Sequence, residues 1–255
     1  MIYYNSQKLC YSRTAKLKTV IASYFPEKIP IFIFFTAGIH FCVNIKWICK
    51  GEKLKRNIRE YDDFCKAIQN EELVFLFGTG ISSALTGKPY SWWKWISDGI
   101  DNLKDMEQKV CLKNKLEKDD SADNMVSVVG QLIKAAKADG TYDYWMKKAF
   151  ESNRISDSNL VQTLQKLVLS QVVFATTNYD LLLEDATKLI TATYENPSVV
   201  FSMLDKHMST HILHIHGVYD SAHELDNIIA DHEQYVEVME NEGAQFTQHI
   251  LSTRT

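Results

Sequence analysis

Three short stretches of the chain carry residue types that could do chemistry. The first is Gly78-Thr79-Gly80-Ile81-Ser82-Ser83, directly after the apolar run Leu73–Phe77. Glycines there let the backbone turn sharply and approach a phosphate, while amides at a following helix N-terminus face its charge. Ser83 stands where the third glycine of the usual dinucleotide fingerprint would fall, and an ordinary tight turn explains the pair alone about as well. The second is Thr176-Thr177-Asn178-Tyr179-Asp180, at the end of another apolar run. Asn178 and Asp180 can both project from such a turn, one towards a ribose hydroxyl and one towards an amide; capping of the next helix is the competing reading. The third is His211-Ile212-Leu213-His214-Ile215-His216-Gly217. His216, released from a strand end before a glycine, suits a general base. His214 shares its face of the strand, but no third ligand is evident and zinc is the weaker reading. His211 and His214 are read as structural.

The elements that must position these residues are legible as an alternation. ELVFLF and QVVFAT are continuous apolar runs of the length and character of strands buried on both faces of a parallel sheet. HILHIH is a third strand, and NIIADHEQYVEVM a fourth strand leading into a helix. Between the first two, residues 92–103, 124–138, 142–150 and 159–169 show helical spacing, with 113–123 as a charged connector. LLLEDATKLI behind Asp180 is read as helical throughout, and an amphipathic helix is predicted over 54–68, where Leu54, Ile58, Tyr61, Phe64 and Ile68 recur at helical spacing. The predicted class is α/β: a Rossmann-like, largely parallel sheet with an inserted helical region at about 90–170. Four strand candidates are few for such a sheet, so the fold is expected to be incomplete at the C-terminus.

Composition sets the outer bounds. With 255 residues and a formal charge of −4, the chain has room for one substantial domain or two small ones and no basic stripe for nucleic acid. The five cysteines, at 10, 42, 49, 65 and 111, form no Cys-x-x-Cys pair, which disfavours a disulfide framework or structural zinc and favours a reduced, cytoplasmic protein. Residues 1–52 read as an apolar N-terminal extension, and 53–255 as the domain. The stretch 29–48 has the length of a membrane span, but Pro30, His40, Asn44 and Lys46 inside it argue against one.

Taken in order, Gly-Thr-Gly-Ile-Ser, Thr-Thr-Asn-Tyr-Asp and His-Gly resemble the sirtuin superfamily, most closely the sirtuin-like domains of bacterial anti-phage defence proteins. Their openings read Gly-Ala-Gly-x-Ser followed by Pro and Trp, matched by Gly78–Ser82, Pro89 and Trp92. Their Thr-x-Asn-x-Asp is matched by Thr176 or Thr177, Asn178 and Asp180, and their catalytic His-Gly by His216-Gly217. The resemblance spans roughly residues 55–245, and the combination is far more specific than any single motif.

The resemblance implies that Gly78, Thr79, Gly80 and Ser82 contact NAD phosphates, with Thr177 also in the cofactor site. Asn178 would hold the nicotinamide ribose or orient a water, Asp180 would sit by the carboxamide, and His216 would be the base. The zinc-binding cysteine pairs of the protein-deacylating members are absent from this sequence, so hydrolysis of NAD to nicotinamide and ADP-ribose is expected rather than deacylation, with NAD as substrate and no metal. The family's later Gly-x-Ser turn for the adenosine half has no match after Gly217; the alternative expectation is therefore a non-catalytic module that senses NAD or ADP-ribose. A homo-oligomer is expected.

Overall fold

The alternation of apolar runs and helices builds, in the computed structural model, a four-stranded sheet in which all neighbours are parallel. The structure describes residues 73–169, 172–204 and 210–253, together with the backbone of Ile31–Phe34 (β1) and His40–Val43 (β2). Those two short strands pair antiparallel within the stretch 29–48. The helix predicted over 54–68, and all but these two strands of the extension 1–52, lie outside the described residues. Among the described residues no helix is long and apolar enough to cross a membrane.

The sheet consists of β3 (Val74–Phe77), β4 (Val173–Thr176), β5 (Ile190–Ala192) and β6 (His211–His214), ordered β3-β4-β6-β5. Its registers set Phe77 beside Thr176 and Thr176 beside His214. Successive side chains of a strand point to opposite faces, and β3 divides accordingly. Phe75 and Phe77 pack with Phe174, Ile81, Leu85 and Leu164, while Val74 and Leu76 pack with Val173, Leu213 and Ile250 on the other side. Phe77 and Phe174 are fully buried with ring centroids 5.5 Å apart. Rings of this size contribute about 1.5–3 kcal/mol each on burial, so this contact locks β3 and β4 in register next to the first two motifs.

The helices begin with α1 (Thr79–Thr86), directly after β3. The region between β3 and β4 continues with α2 (Trp92–Asn102), α3 (Met106–Lys118), α4 (Ala122–Asp139), α5 (Tyr142–Met146) and α6 (Ser158–Val168). Its core is built on Trp145, Leu132, Ile96 and Trp95, and takes in Tyr179 and Tyr219 from outside the region. Ser121 caps α4 by accepting from the Asn124 amide, which leaves residues 119–121 as the link to α3. The charged stretch 113–123, expected to be a connector, is thus helical through Lys118. Only Leu112 and Leu116 of α3 are buried, so its polar pattern hid a helix held by two apolar contacts.

Beyond β4 come α7 (Leu182–Thr187), α8 (Pro197–Ser202), α9 (His232–Met239) and α10 (Glu242–Thr253), with a small hairpin of β7 (Tyr219–Asp220) and β8 (Leu225–Asp226) after β6. Two further expectations are corrected here. The helix behind Asp180 stops at Thr187, where Lys188 takes a left-handed backbone at φ 65°, and Ile190–Ala192 forms the edge strand β5. The NIIA stretch at 227–230 is not a strand of the sheet; it runs beside the 216–218 turn, with Asn227 N donating to Val218 O and Ile229 N to His216 O, in the register set by the pair Tyr219–Asp226.

Candidate functional site

In parallel sheets the carboxyl ends of the strands all open on one edge, where ligands bind. Here that edge collects Gly78 after β3, Thr177–Asp180 after β4, Thr193–Glu195 after β5 and Ile215–Gly217 after β6. The three sequence motifs are therefore brought to one edge, on three adjacent strands. Main-chain bonds knit the ends together: Thr177 N donates to Phe77 O, Ile215 N to Thr176 O, and Tyr219 N to Tyr179 O.

Gly78 precedes α1 in extended conformation with no side chain capping the helix, and the first turn of α1 holds no acidic residue. The opening amides at Thr79 and Gly80 thus meet no capping carboxylate, as an anion at a helix start requires. Thr79 is exposed and Gly80 half-buried. Ser82 is placed differently. It is 1% exposed, its hydroxyl donates to Asp180 Oδ2 at 2.8 Å, and it accepts from Asn178 Nδ2 at 2.9 Å. That hydroxyl joins the first two motifs from behind the loop.

Asn178 is the centre of this network. Its Nδ2 also donates to Gly78 O at 3.0 Å, and its backbone amide donates to Thr176 Oγ1. Its Oδ1 is buried with no hydrogen-bond partner. Asp180 accepts from Ser82 and, through Oδ1, from the Leu182 amide at the start of α7. Asp180 therefore joins the network and also closes a short turn onto the first amide of α7, whose N-cap is Leu181. Burial raises its carboxyl pKa above the ordinary value, against the lowering effect of those two bonds.

His216 sits half-buried beyond β6, its carbonyl accepting from Ile229 N at 2.8 Å. Burial pushes its imidazole down to about 4, so at neutral pH the ring is uncharged. His214, one strand step back, is buried between Glu184 Oε1 at 2.7 Å and the Asn178 carbonyl at 3.0 Å. Burial alone would lower its pKa, but the Glu184 carboxylate and the Asn178 carbonyl overcome this and hold it above the ordinary histidine value.

These shifts give a stability prediction. The folded pKa of His216 lies below its ordinary 6.5, so the unfolded chain takes up the proton first. The stability from keeping His216 neutral is present above about pH 6.5 and is lost as pH falls towards about 4. Asp180, shifted upward, slopes the other way over its own window. The His216 part is therefore read as a difference: urea midpoints of the parent should drop more steeply between pH 6.5 and 4 than those of His216→Gln. Parallel curves would refute an imidazole held below its ordinary pKa in the folded chain.

Residues outside the three motifs also approach this edge. Tyr90 and Trp95, like Asn178, each hold a buried polar atom without a partner, Tyr90 Oη and Trp95 Nε1. Tyr90 N donates to Ser83 Oγ, and burial together with Asp180 pushes its phenol up to about 12. Trp95 packs its ring 5.5 Å from Tyr179 and 4.9 Å from Trp145. Among the described residues Asn178 Oδ1, Tyr90 Oη, Trp95 Nε1 and Glu184 Oε2 are buried and unpaired, and such groups are ones that a ligand or an ordered water satisfies. Asn227, which no motif marks, ties the ends of β5 and β6 together through Thr193, Glu195 and the Val218 amide. Among the described residues, no group of three or more His, Cys, Asp or Glu side chains is arranged to hold a metal ion.

No curated protein matches the chain. Residues 172–255, the stretch that begins at β4 and carries Thr176, Asn178, Asp180 and His216, match the family model of the SIR2-like domain, and this part of the chain is sirtuin-like.

Proposed function

We propose that the chain is an NAD glycohydrolase, cleaving NAD with water to nicotinamide and ADP-ribose. The observation that carries this reading is Asn178. Its amide nitrogen is fixed to Gly78 O and Ser82 Oγ, while its Oδ1 is buried and unpartnered in the turn that follows β4, the strand next to the one that delivers His216. The sirtuin-like match over 172–255 supports the substrate class.

In this reading the pyrophosphate lies on the amides opening α1 at Gly78–Gly80, with Thr177 beside them. Ser82 and Asp180 hold the loop from behind. As the bond from the nicotinamide nitrogen to ribose C1′ lengthens, its electron pair leaves with nicotinamide and positive charge builds on the ribose. Fixed dipoles such as Asn178 Oδ1 stabilise that charge without having to reorganise. Water adds to C1′, and the neutral His216 imidazole takes the proton that the water loses. Both products are accounted for, with one proton released to solvent.

The motif set's likeness to defence-protein domains supports NAD depletion during phage infection as the biological setting. Incubation of the purified full chain with NAD tests the activity: nicotinamide and ADP-ribose should form in equal amounts. NAD binding without either product would make the chain a sensing module instead.

A further inference from the structure

The SIR2-like edge contains a buried ion pair that the proposed chemistry does not use. His214 is fully covered, with Glu184 Oε1 2.7 Å from its Nε2 and the Asn178 carbonyl 3.0 Å from its Nδ1. Glu184 Oε1 also accepts from Thr191 Oγ1 at 3.0 Å. Thr191 lies on β5, Glu184 on α7 and His214 on β6, so three elements are linked in a chain of hydrogen bonds that ends, through His214, at the backbone carbonyl of one loop residue. Buried ion pairs are poor stabilisers compared with apolar side chains of the same volume. What this one supplies is direction, since it fixes the peptide group from which the Asn178 side chain departs.

We propose that Glu184 and His214 are a positioning pair that sets the orientation of Asn178 through its carbonyl. This rests on the reading of Asn178 as part of the NAD site. With both ring nitrogens protonated, His214 donates to Glu184 and to Asn178 O at once. The charged groups facing it are Glu184 from α7 and Asp180 from the loop after β4; both carboxylates favour the protonated ring, and burial opposes them. Loss of that proton leaves one of the two bonds unmade, so kcat falls at alkaline pH. Glu184→Gln changes the arrangement without emptying it. A glutamine amide can donate to Nε2 while neutral His214 still donates from Nδ1 to Asn178 O.

The test uses the full chain, with Glu184→Ala and Glu184→Gln, in two readouts. By NMR, the imidazole of His214 should keep both protons beyond the ordinary histidine range, and titrate lower in Glu184→Gln. The Tyr179 amide, which shares its peptide group with the Asn178 carbonyl, should shift in Glu184→Ala and return towards the parent in Glu184→Gln. In NAD cleavage, Glu184→Ala should lower kcat about 10- to 100-fold, the scale of a small misplacement, with KM changed less than about threefold. Glu184→Gln should recover most of kcat and lose the alkaline limb of its pH profile, which a merely structural role would leave in place. If Glu184→Ala does not fold, the His214 titration and the alkaline limb of Glu184→Gln decide. An unmoved Tyr179 amide, or a Glu184→Gln profile identical to the parent's, overturns the pair. A parent that releases no nicotinamide while Tyr179 still responds to Glu184 overturns the NAD reading alone.

Discussion

Asn178→Ala is expected to lower nicotinamide release from NAD about 100- to 1,000-fold, the range seen when one preorganised polar group is removed from a reacting centre. The expectation follows from where its atoms lie. Nδ2 is committed to Gly78 O and Ser82 Oγ, so the side chain cannot swing. Oδ1 is held buried without a partner, and a buried unpaired acceptor costs about 1–3 kcal/mol. Such a cost is understandable where the group meets a ligand. The variant also leaves Gly78 O and Ser82 Oγ without their donor, so some stability is lost as well. The two effects separate in the kinetics. If Asn178 acts on the reacting ribose, kcat falls far more than the folded fraction does, and NAD still binds. If release falls only in proportion to unfolding, Asn178 is a structural residue and the proposed chemistry loses its centre.

The second large effect is on the fold beside His216. Gly217 has a φ of +77°, and a Cβ placed on it would lie 1.9 Å from the Asn227 carbonyl oxygen. The left-handed backbone alone costs an L-residue roughly 1–2 kcal/mol. The clash adds to it, because the obstacle is main chain and cannot rotate away. Nor can Asn227 retreat freely, since its carbonyl accepts from Tyr194 Oη and its side chain bonds Thr193, Glu195 and the Val218 amide. Gly217→Ala should therefore destabilise the chain by about 3 kcal/mol or more, among the larger values for single substitutions. Urea denaturation would show it as a lower midpoint at unchanged slope. A loss below about 1 kcal/mol would mean that the 215–218 turn yields easily, and that His216 is not rigidly placed.

The parts of the site legible in the sequence are those whose signal is local. VFLF running into Gly-Thr-Gly, VVFAT into Thr-Asn, and HILHIH into Gly217 each join a strand to its own turn. Once those strands are parallel neighbours, their ends meet without further instruction. Signals that depend on distant partners were not legible. No motif in the sequence marks Tyr90 or Trp95; only the fold sets Tyr90 near Asp180 and packs Trp95 on Tyr179. Glu184 lies in a stretch legible only as helical, yet it bonds His214, 30 residues on. Ile190–Ala192 was hidden because its three residues continue an apolar helical pattern, and only the left-handed Lys188 breaks it. NIIA at 227–230 misled in the other direction. Its apolar residues are buried, but its backbone bonds go to the 216–218 turn, in line with the small hairpin, rather than into the parallel sheet.

The most direct test of the account is release of nicotinamide from NAD by the purified full chain beside His216→Ala, with NAD binding measured on both. The account predicts steady release by the parent, with ADP-ribose in equal amount, and a loss of about 100-fold or more in His216→Ala at little change in NAD affinity. Equal release by the two proteins, or none by a parent that binds NAD, would contradict it.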